Sequence, residues 1–297
     1  MNLQNTYNKK LIEIQQAKEF DEQEEIVKQI DYNYFVEVVG LPKVKSSREK
    51  IVNLCRFFKV SDLRIMLKPD FLVNFRRGSA CDKEKNIINS RAWIQTAVNI
   101  AKEVNTKSFN SEKLKKYLPE LREMTVKKPE DFLPRMREIF EECGIAFVLL
   151  PHLKNSGVNG AVKWVSEDRV VLAMNNRGLD ADKFWFSLFH EIKHIFQQKI
   201  KTVFISYTTE KMMDINEKIE AEADKFAANI LIPPEEYKKI SSLKYVSDKE
   251  ICDFAKRIGI HPGIVAGRLQ HEGVIGQNRC SKLKVKYIME LQHDGRL

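Results

Sequence analysis

Hydrophobic positions in the first half of the chain recur at helical spacing, and the period changes near the middle. Over 7–30, Leu11, Ile14, Ala17, Ile26 and Ile30 stand among dense charge. That pattern predicts an amphipathic helix, with a break expected near Phe20 and Asp21. Ser46 and Glu49 have capping-box spacing ahead of Ile51, Leu54, Phe57 and Phe58, which marks another helix start. Further helices are expected over 92–104, 111–118 and 129–142.

After Gly144 the pattern becomes that of strands, with none expected earlier. The run 145–150 reads as a short buried strand, and 160–165 with 169–174 as a hairpin around Ser166-Glu167-Asp168. This hairpin is expected to leave a sheet edge open, where an extended protein segment could pair by strand addition. A long helix follows over 182–198, capped by Asp180 or Asp182, with Phe184, Trp185, Leu188, Ile192, Ile195 and Phe196 as its apolar stripe. Beyond a loop to about Asp214, a second helix over 217–230 is stopped by Pro233-Pro234. Ser247 and Glu250 repeat the capping-box spacing before a short helix that Gly259 ends, and Pro262 opens the next. The fold class predicted is α+β, mainly helical with a small sheet.

Composition narrows the setting. The chain has 297 residues, 43% hydrophobic and 31% charged, enough for a sizeable core and against wholesale disorder. Its longest apolar run, 145–150, is far short of the roughly 20 residues that cross a bilayer. The polar start MNLQNTYNKK lacks a signal-peptide core. A cytoplasmic protein with no membrane contact is therefore expected. Cys55, Cys81, Cys143, Cys252 and Cys280 are odd in number and scattered, so they read as reduced thiols. A net charge of +9 permits contact with nucleic acid, but the excess is spread along the chain and favours solvated lysine-rich faces instead.

The chemistry concentrates in His190-Glu191-Ile192-Lys193-His194, inside the long helix. Residues four apart lie one turn apart on one face, so both imidazoles can reach a single ion while Glu191 projects beside it. Three protein ligands on zinc leave a fourth position for water, whose pKa falls towards about 7, and the adjacent carboxylate can take its proton as it attacks a peptide carbonyl. A metzincin would place a histidine six residues after His194 and a glycine before it, but Ile200 and Gln197 stand there. The second helix instead carries Glu220-Ala221-Glu222-Ala223-Asp224, starting 26 residues after His194. Glu220 and Asp224 share a face, so Glu220 can bind metal while Asp224 accepts the other ring N–H of a ligand histidine. Glu217, one turn earlier, is the nearest rival, whereas Glu222 points about 200 degrees away. His152, His261, His271, His293 and Tyr207 are candidates for stabilising an oxyanion, with no spacing to choose among them.

With these residues in view, the sequence resembles the ImmA/IrrE-type metallopeptidases. The matching stretches are FWFSLFHEIKHIF, EAEADKFAANILIP and the preceding GIAFVLLP and NGAVKW, and the resemblance extends from about Phe75 to IHPGIVAGRLQHEG. It implies a zincin-like fold, a zinc ion held by His190, His194 and Glu220 in a thermolysin-like set, and Glu191 as catalytic base. It also implies a helix-turn-helix transcriptional repressor as the protein cut. Many relatives carry an N-terminal DNA-binding domain; MNLQNTYNKKL resembles the stretch that follows one, so the expectation is a chain without it. The division expected is 1–74, a helical N-terminal region; 75–240, the zincin-like domain; and 241–297, a helical, helix-turn-helix-like subdomain.

The alternative is a DNA-binding regulator or antitoxin-like protein of zincin shape. Ala255, Gly259 and Val265 fit a helix-turn-helix pattern, but Pro262 and Gly263 begin the would-be recognition helix and Arg268 is nearly its only basic residue. Base reading is therefore disfavoured.

Overall fold

The computed structural model describes residues 3–67, 73–77, 84–175, 180–201 and 209–287. Its elements run in chain order as α1 (Leu3–Gln29), α2 (Tyr32–Val39), α3 (Ser47–Phe58), β1 (Val73–Arg77), α4 (Glu84–Ala101), α5 (Ser111–Glu123), α6 (Pro129–Glu142), β2 (Ile145–Leu150), β3 (Val158–Ser166), β4 (Arg169–Asn175), α7 (Ala181–Lys201), α8 (Thr209–Leu231), α9 (Pro234–Ser241), α10 (Asp248–Ile258) and α11 (Pro262–His271). The fold is α+β, mostly helical around one small mixed sheet of order β1-β3-β4-β2. Among the described residues no helix is long and apolar enough to cross a membrane.

The sheet divides two apolar cores. Side chains alternate along a strand, so Ile145, Phe147, Leu149, Val162, Leu172 and Met174 face one way and pack with α5 to α8 and the C-terminal helices. Ala146, Val148, Leu150, Ala161, Val171 and Ala173 face the other way and pack with α1 to α4. Strand β2, which pairs with β4 in parallel, is buried along its whole length. That accounts for a near-continuous apolar run without alternation. The N-terminal helices are pinned to the end of β2, where Tyr34 Oη and Trp93 Nε1 both donate to the Pro151 carbonyl, at 3.0 and 2.9 Å.

Several local expectations are met. Helix α6 begins and ends as the spacing predicts, Ser247 and Glu250 form a complete capping box, and Gly259 closes α10 in the left-handed region. Gly144, at φ +81, turns the chain from α6 into β2; a Cβ there would lie 2.3 Å from the Phe109 backbone. Only glycine fits such a position.

Four details differ. Helix α1 continues through Phe20 and Asp21 without interruption, because that stretch holds no proline or glycine to stop it. Its expected stripe is used only at the C-terminal end: Ile26 and Ile30 are buried, while Leu11 and Ile14 are exposed. Ser46 is the N-cap of α3, but its side chain makes no capping hydrogen bond. Finally, a strand does occur before Gly144. β1 pairs antiparallel with β3 from Val73↔Lys163 to Arg77↔Val158, so both hairpin strands are interior and the open edge expected of the hairpin is covered.

Candidate metal centre

Helices α7 and α8 lie side by side and between them carry every charged group of the site. The α7 stripe of Trp185, Leu188, Phe189, Ile192 and Ile195 is fully buried. Burying each such side chain contributes roughly 1.5–3 kcal/mol, so the helix is held firmly against the sheet. Its other face is where His190 and His194 emerge, one turn apart and both almost inaccessible to solvent.

Helix α8 is anchored at its C-terminal end by two arginines. Arg122 donates from Nε to the carbonyls of Ile230 and Leu231, at 2.9 and 3.1 Å. Arg268 donates to those of Ala228 and Ile232, at 2.8 and 3.0 Å, and its guanidinium stacks 3.8 Å from the centre of the Tyr237 ring. The last carbonyls of a helix lack partners within it and carry the negative end of its dipole, so both cations fit there. Burial lowers the Arg122 pKa from its ordinary value.

One helical turn pair then assembles the centre. His190 Nε2 and His194 Nε2 are 2.9 Å apart, and the Glu220 carboxylate lies 3.2 Å from the first and 3.3 Å from the second. Behind them, His190 Nδ1 is 2.8 Å from Asp224 Oδ1, and His194 Nδ1 is 3.0 Å from Gln197 Oε1. Carboxylate and amide oxygens only accept, so each Nδ1 carries the proton and each neutral Nε2 presents a lone pair. Two lone pairs and a carboxylate thus converge with no donor among them, and the cluster needs a cation.

That cation is a proton or a metal. Burial alone would lower the His190 pKa, but hydrogen bonds to Asp224 and Glu220 and the nearby Glu191 charge raise it to about 9. Burial would raise the Glu220 pKa, yet the two imidazoles bring it down to about 2. A metal fits equally well on distance. Zinc ligands at 2.0–2.1 Å in a tetrahedron stand about 3.3 Å from one another, the scale found between these atoms. His190, His194 and Glu220 can hold a metal ion, and among the described residues they are the one such group of histidine, cysteine and acidic side chains.

Glu191 is completely buried beneath β3. Gly160 lies directly over it: a Cβ at Gly160 would stand 2.7 Å from Glu191 Cγ and 3.0 Å from Oε1. Glu217 does not join the cluster. Glu222 turns to the neighbouring helix, where it meets Lys193 Nζ at 3.5 Å and Gln197 Nε2 at 3.2 Å. His261 caps α11 by accepting from the Gly263 N–H at 3.0 Å, and His152 and His271 are outside the cluster. Tyr207 and His293 lie outside the described residues.

Two contributors were not picked out from the sequence. Gln197 stands where a metzincin has glycine, and its spacing three residues after His194 places it on the same side of the helix. Gly160 stands in a strand interior, a common mark of close approach.

Residues 147–270 match the family model described as the IrrE N-terminal-like domain, a peptidase family. The matched stretch contains β3, β4, α7 and α8, and with them every residue of the cluster. Over it the chain is similar to that family, as FWFSLFHEIKHIF and EAEADKFAANILIP imply. The likeness supports a peptidase, a hydrolase acting on protein. No curated protein matches the chain.

Proposed function

We propose that the protein is a zinc-dependent endopeptidase whose metal is held by His190, His194 and Glu220, with Glu191 as catalytic base. The observation that carries this reading is the convergence of two imidazole lone pairs and one carboxylate beside a buried glutamate, in a stretch similar to a peptidase family. Zinc bound there would supply Lewis-acid activation of a water molecule. Glu191 is the group that would accept a proton as water attacks the peptide carbonyl and return it to the leaving amine. Asp224 keeps His190 in the tautomer that presents Nε2. The two imidazoles are inaccessible while Glu220 is 41% exposed, so substrate approaches from the α8 side.

The substrate class we propose is a helix-turn-helix transcriptional repressor, and the setting is the cytoplasm. We propose the division 1–74, 75–240 and 241–297, with catalysis in 75–240; of the flanking parts, α1 to α3 pack on the far face of the sheet, α11 packs beside α7 and α10 packs against α11. The reading as a DNA-binding regulator is disfavoured by the use made of α11. Gly263, Ile264, Val265, Ala266, Leu269 and Gln270 are buried, and Arg268 is spent on the end of α8.

The test is incubation of the zinc-loaded protein with repressors encoded beside it, followed by mass spectrometry of the products. One discrete cut is expected with wild type and none with Glu191→Gln. If every repressor stays intact while the wild type binds operator DNA tightly, the regulator reading replaces this one.

A further inference from the structure

Gln197 is buried, lies one turn beyond His194, and uses both ends of its amide. Its Oε1 is 3.0 Å from His194 Nδ1. Its Nε2 donates to the Ile219 carbonyl at 3.1 Å and to Glu222 Oε2 at 3.2 Å. A carbonyl and a carboxylate accept only, so the amide has one orientation available: NH2 towards α8, oxygen towards His194. The imidazole nitrogen facing that oxygen must then carry the proton. Ile219 is the residue immediately before Glu220, so the same amide grips the backbone at the point where the third ligand of the cluster begins.

We propose that Gln197 is a positioning residue for two of the three ligands at once, fixing the His194 tautomer with its oxygen and the approach of Glu220 with its nitrogen. The inference rests on the metal centre assigned above, and it deepens it. It also makes the two histidines unequal. His190 is backed by the charged carboxylate of Asp224, His194 by a neutral amide, and a carboxylate raises the basicity of an imidazole more than an amide does. Gln197 thereby ties α7 to α8 without adding a second negative charge behind the cluster.

The test compares wild type with Gln197→Ala, Glu222→Ala and the double variant Gln197→Glu/Glu222→Gln, all as full chains. In the double variant residue 197 still accepts from His194 and the amide at 222 re-forms the side-chain link between the helices, but the bond to the Ile219 carbonyl is lost, since a carboxylate cannot donate. Zinc affinity, measured by competition with a chromophoric chelator, should fall by about 10- to 100-fold in Gln197→Ala. It should recover only in part in the double variant, which regains the His194 grip without the one on Ile219, and change little in Glu222→Ala, which leaves both Gln197 grips on the ligands. The nitrogen-15 imidazole spectrum of the metal-free protein, taken at alkaline pH where both imidazoles are neutral, should give His194 as the Nδ1–H form in wild type. In Gln197→Ala that preference should be lost. Wild-type affinity in Gln197→Ala, or an unchanged His194 tautomer there, overturns the proposal. A protein that binds zinc with this pattern yet cuts no repressor leaves Gln197 in place and removes the peptidase reading instead.

Discussion

His190 Nδ1 and Asp224 Oδ1 stand 2.8 Å apart across the α7–α8 interface, joining a buried ring to a carboxylate that is 49% exposed. The bond commits the ring to presenting Nε2 towards His194 and Glu220. Losing such a partner typically weakens metal binding or activity by about 10- to 100-fold without abolishing either. Asp224→Ala should therefore bind zinc weakly but fully at saturating metal, while Glu222→Ala should titrate nearly as wild type. Metal titrations that reverse this order would place the metal-facing side of α8 at Glu222 instead.

One equivalent of zinc per chain is expected from the three-ligand cluster. His190→Ala or His194→Ala leaves two protein donors, and elemental analysis after gel filtration should find the metal lost from either. Full zinc retention in the double histidine variant would refute the ligand assignment.

Acidity should act on the metal-free protein in a defined sense. The His190 pKa is raised from 6.5 to about 9 in the fold. The stabilisation it gives is complete below about 6.5 and is lost as the pH rises through about 9. Glu220 is depressed from 4.5 to about 2, so its contribution is present above about 4.5 and is lost as the pH falls towards 2. The metal-free protein should thus draw most from this pair between about pH 4.5 and 6.5. Zinc must displace the His190 proton, so its apparent affinity should climb about tenfold per pH unit until about pH 9. Calorimetry in buffers of different ionisation enthalpy should find about one proton released per zinc bound at neutral pH. No proton release would remove His190 from the site.

The residues that converge here were legible because they obey local rules. Four-residue spacing puts His190 and His194 on one face, the same rule pairs Glu220 with Asp224, and α7 announces its burial through a stripe from Phe184 to Phe196. What the sequence left hidden depends on where other segments lie. VNFRR has no strand signature of its own, and β1 exists through its ladder to β3. Gln197 acquires its partners only when α8 is laid beside α7. The break expected in α1 near Phe20 and Asp21 does not occur, and most of the described residues of that helix from Asn8 on are exposed and need no stripe.

Arg122 and Arg268 between them donate to the carbonyls of Ala228, Ile230 and Leu231 at the end of α8, the helix that carries Glu220, and to that of Ile232 just past it. Hydrogen bonds from a charged donor contribute about 1.5–3 kcal/mol, so Arg122→Ala and Arg268→Ala should each destabilise the protein by about 2 kcal/mol. Arg268→Lys should not restore the loss, since an ammonium cannot stack on Tyr237 and reach two carbonyls in the same plane. Denaturant midpoints within about 0.5 kcal/mol of wild type would mean the end of α8 is held by something else.

Gly160 and Glu191 give the sharpest separation of chemistry from fold. The strand presents no side chain at Gly160, and the space is filled by the Glu191 stem; a methyl there would stand 2.7 Å from Cγ. Glu191→Gln keeps the shape and removes the proposed base, so zinc affinity and thermal stability should stay near wild type while turnover falls. General-base catalysis contributes typically about 10²- to 10⁴-fold, which sets the loss to look for. Gly160→Ala acts on the same carboxylate from outside: the Cβ must push it aside, since the other nearby atom, Met174 Sδ at 3.0 Å, also leaves no slack. It should therefore retain zinc, lower turnover, and leave substrate affinity less affected than the rate. Combining the two changes should cost little more than Glu191→Gln alone, because both remove one function. The measurement is single-turnover cleavage, by the four proteins at saturating zinc, of whichever protein substrate the wild type is found to cut. If Gly160→Ala still cuts at the wild-type rate, Glu191 does not depend on its seat under β3. If Glu191→Gln does as well, the base must be sought elsewhere in the cleft.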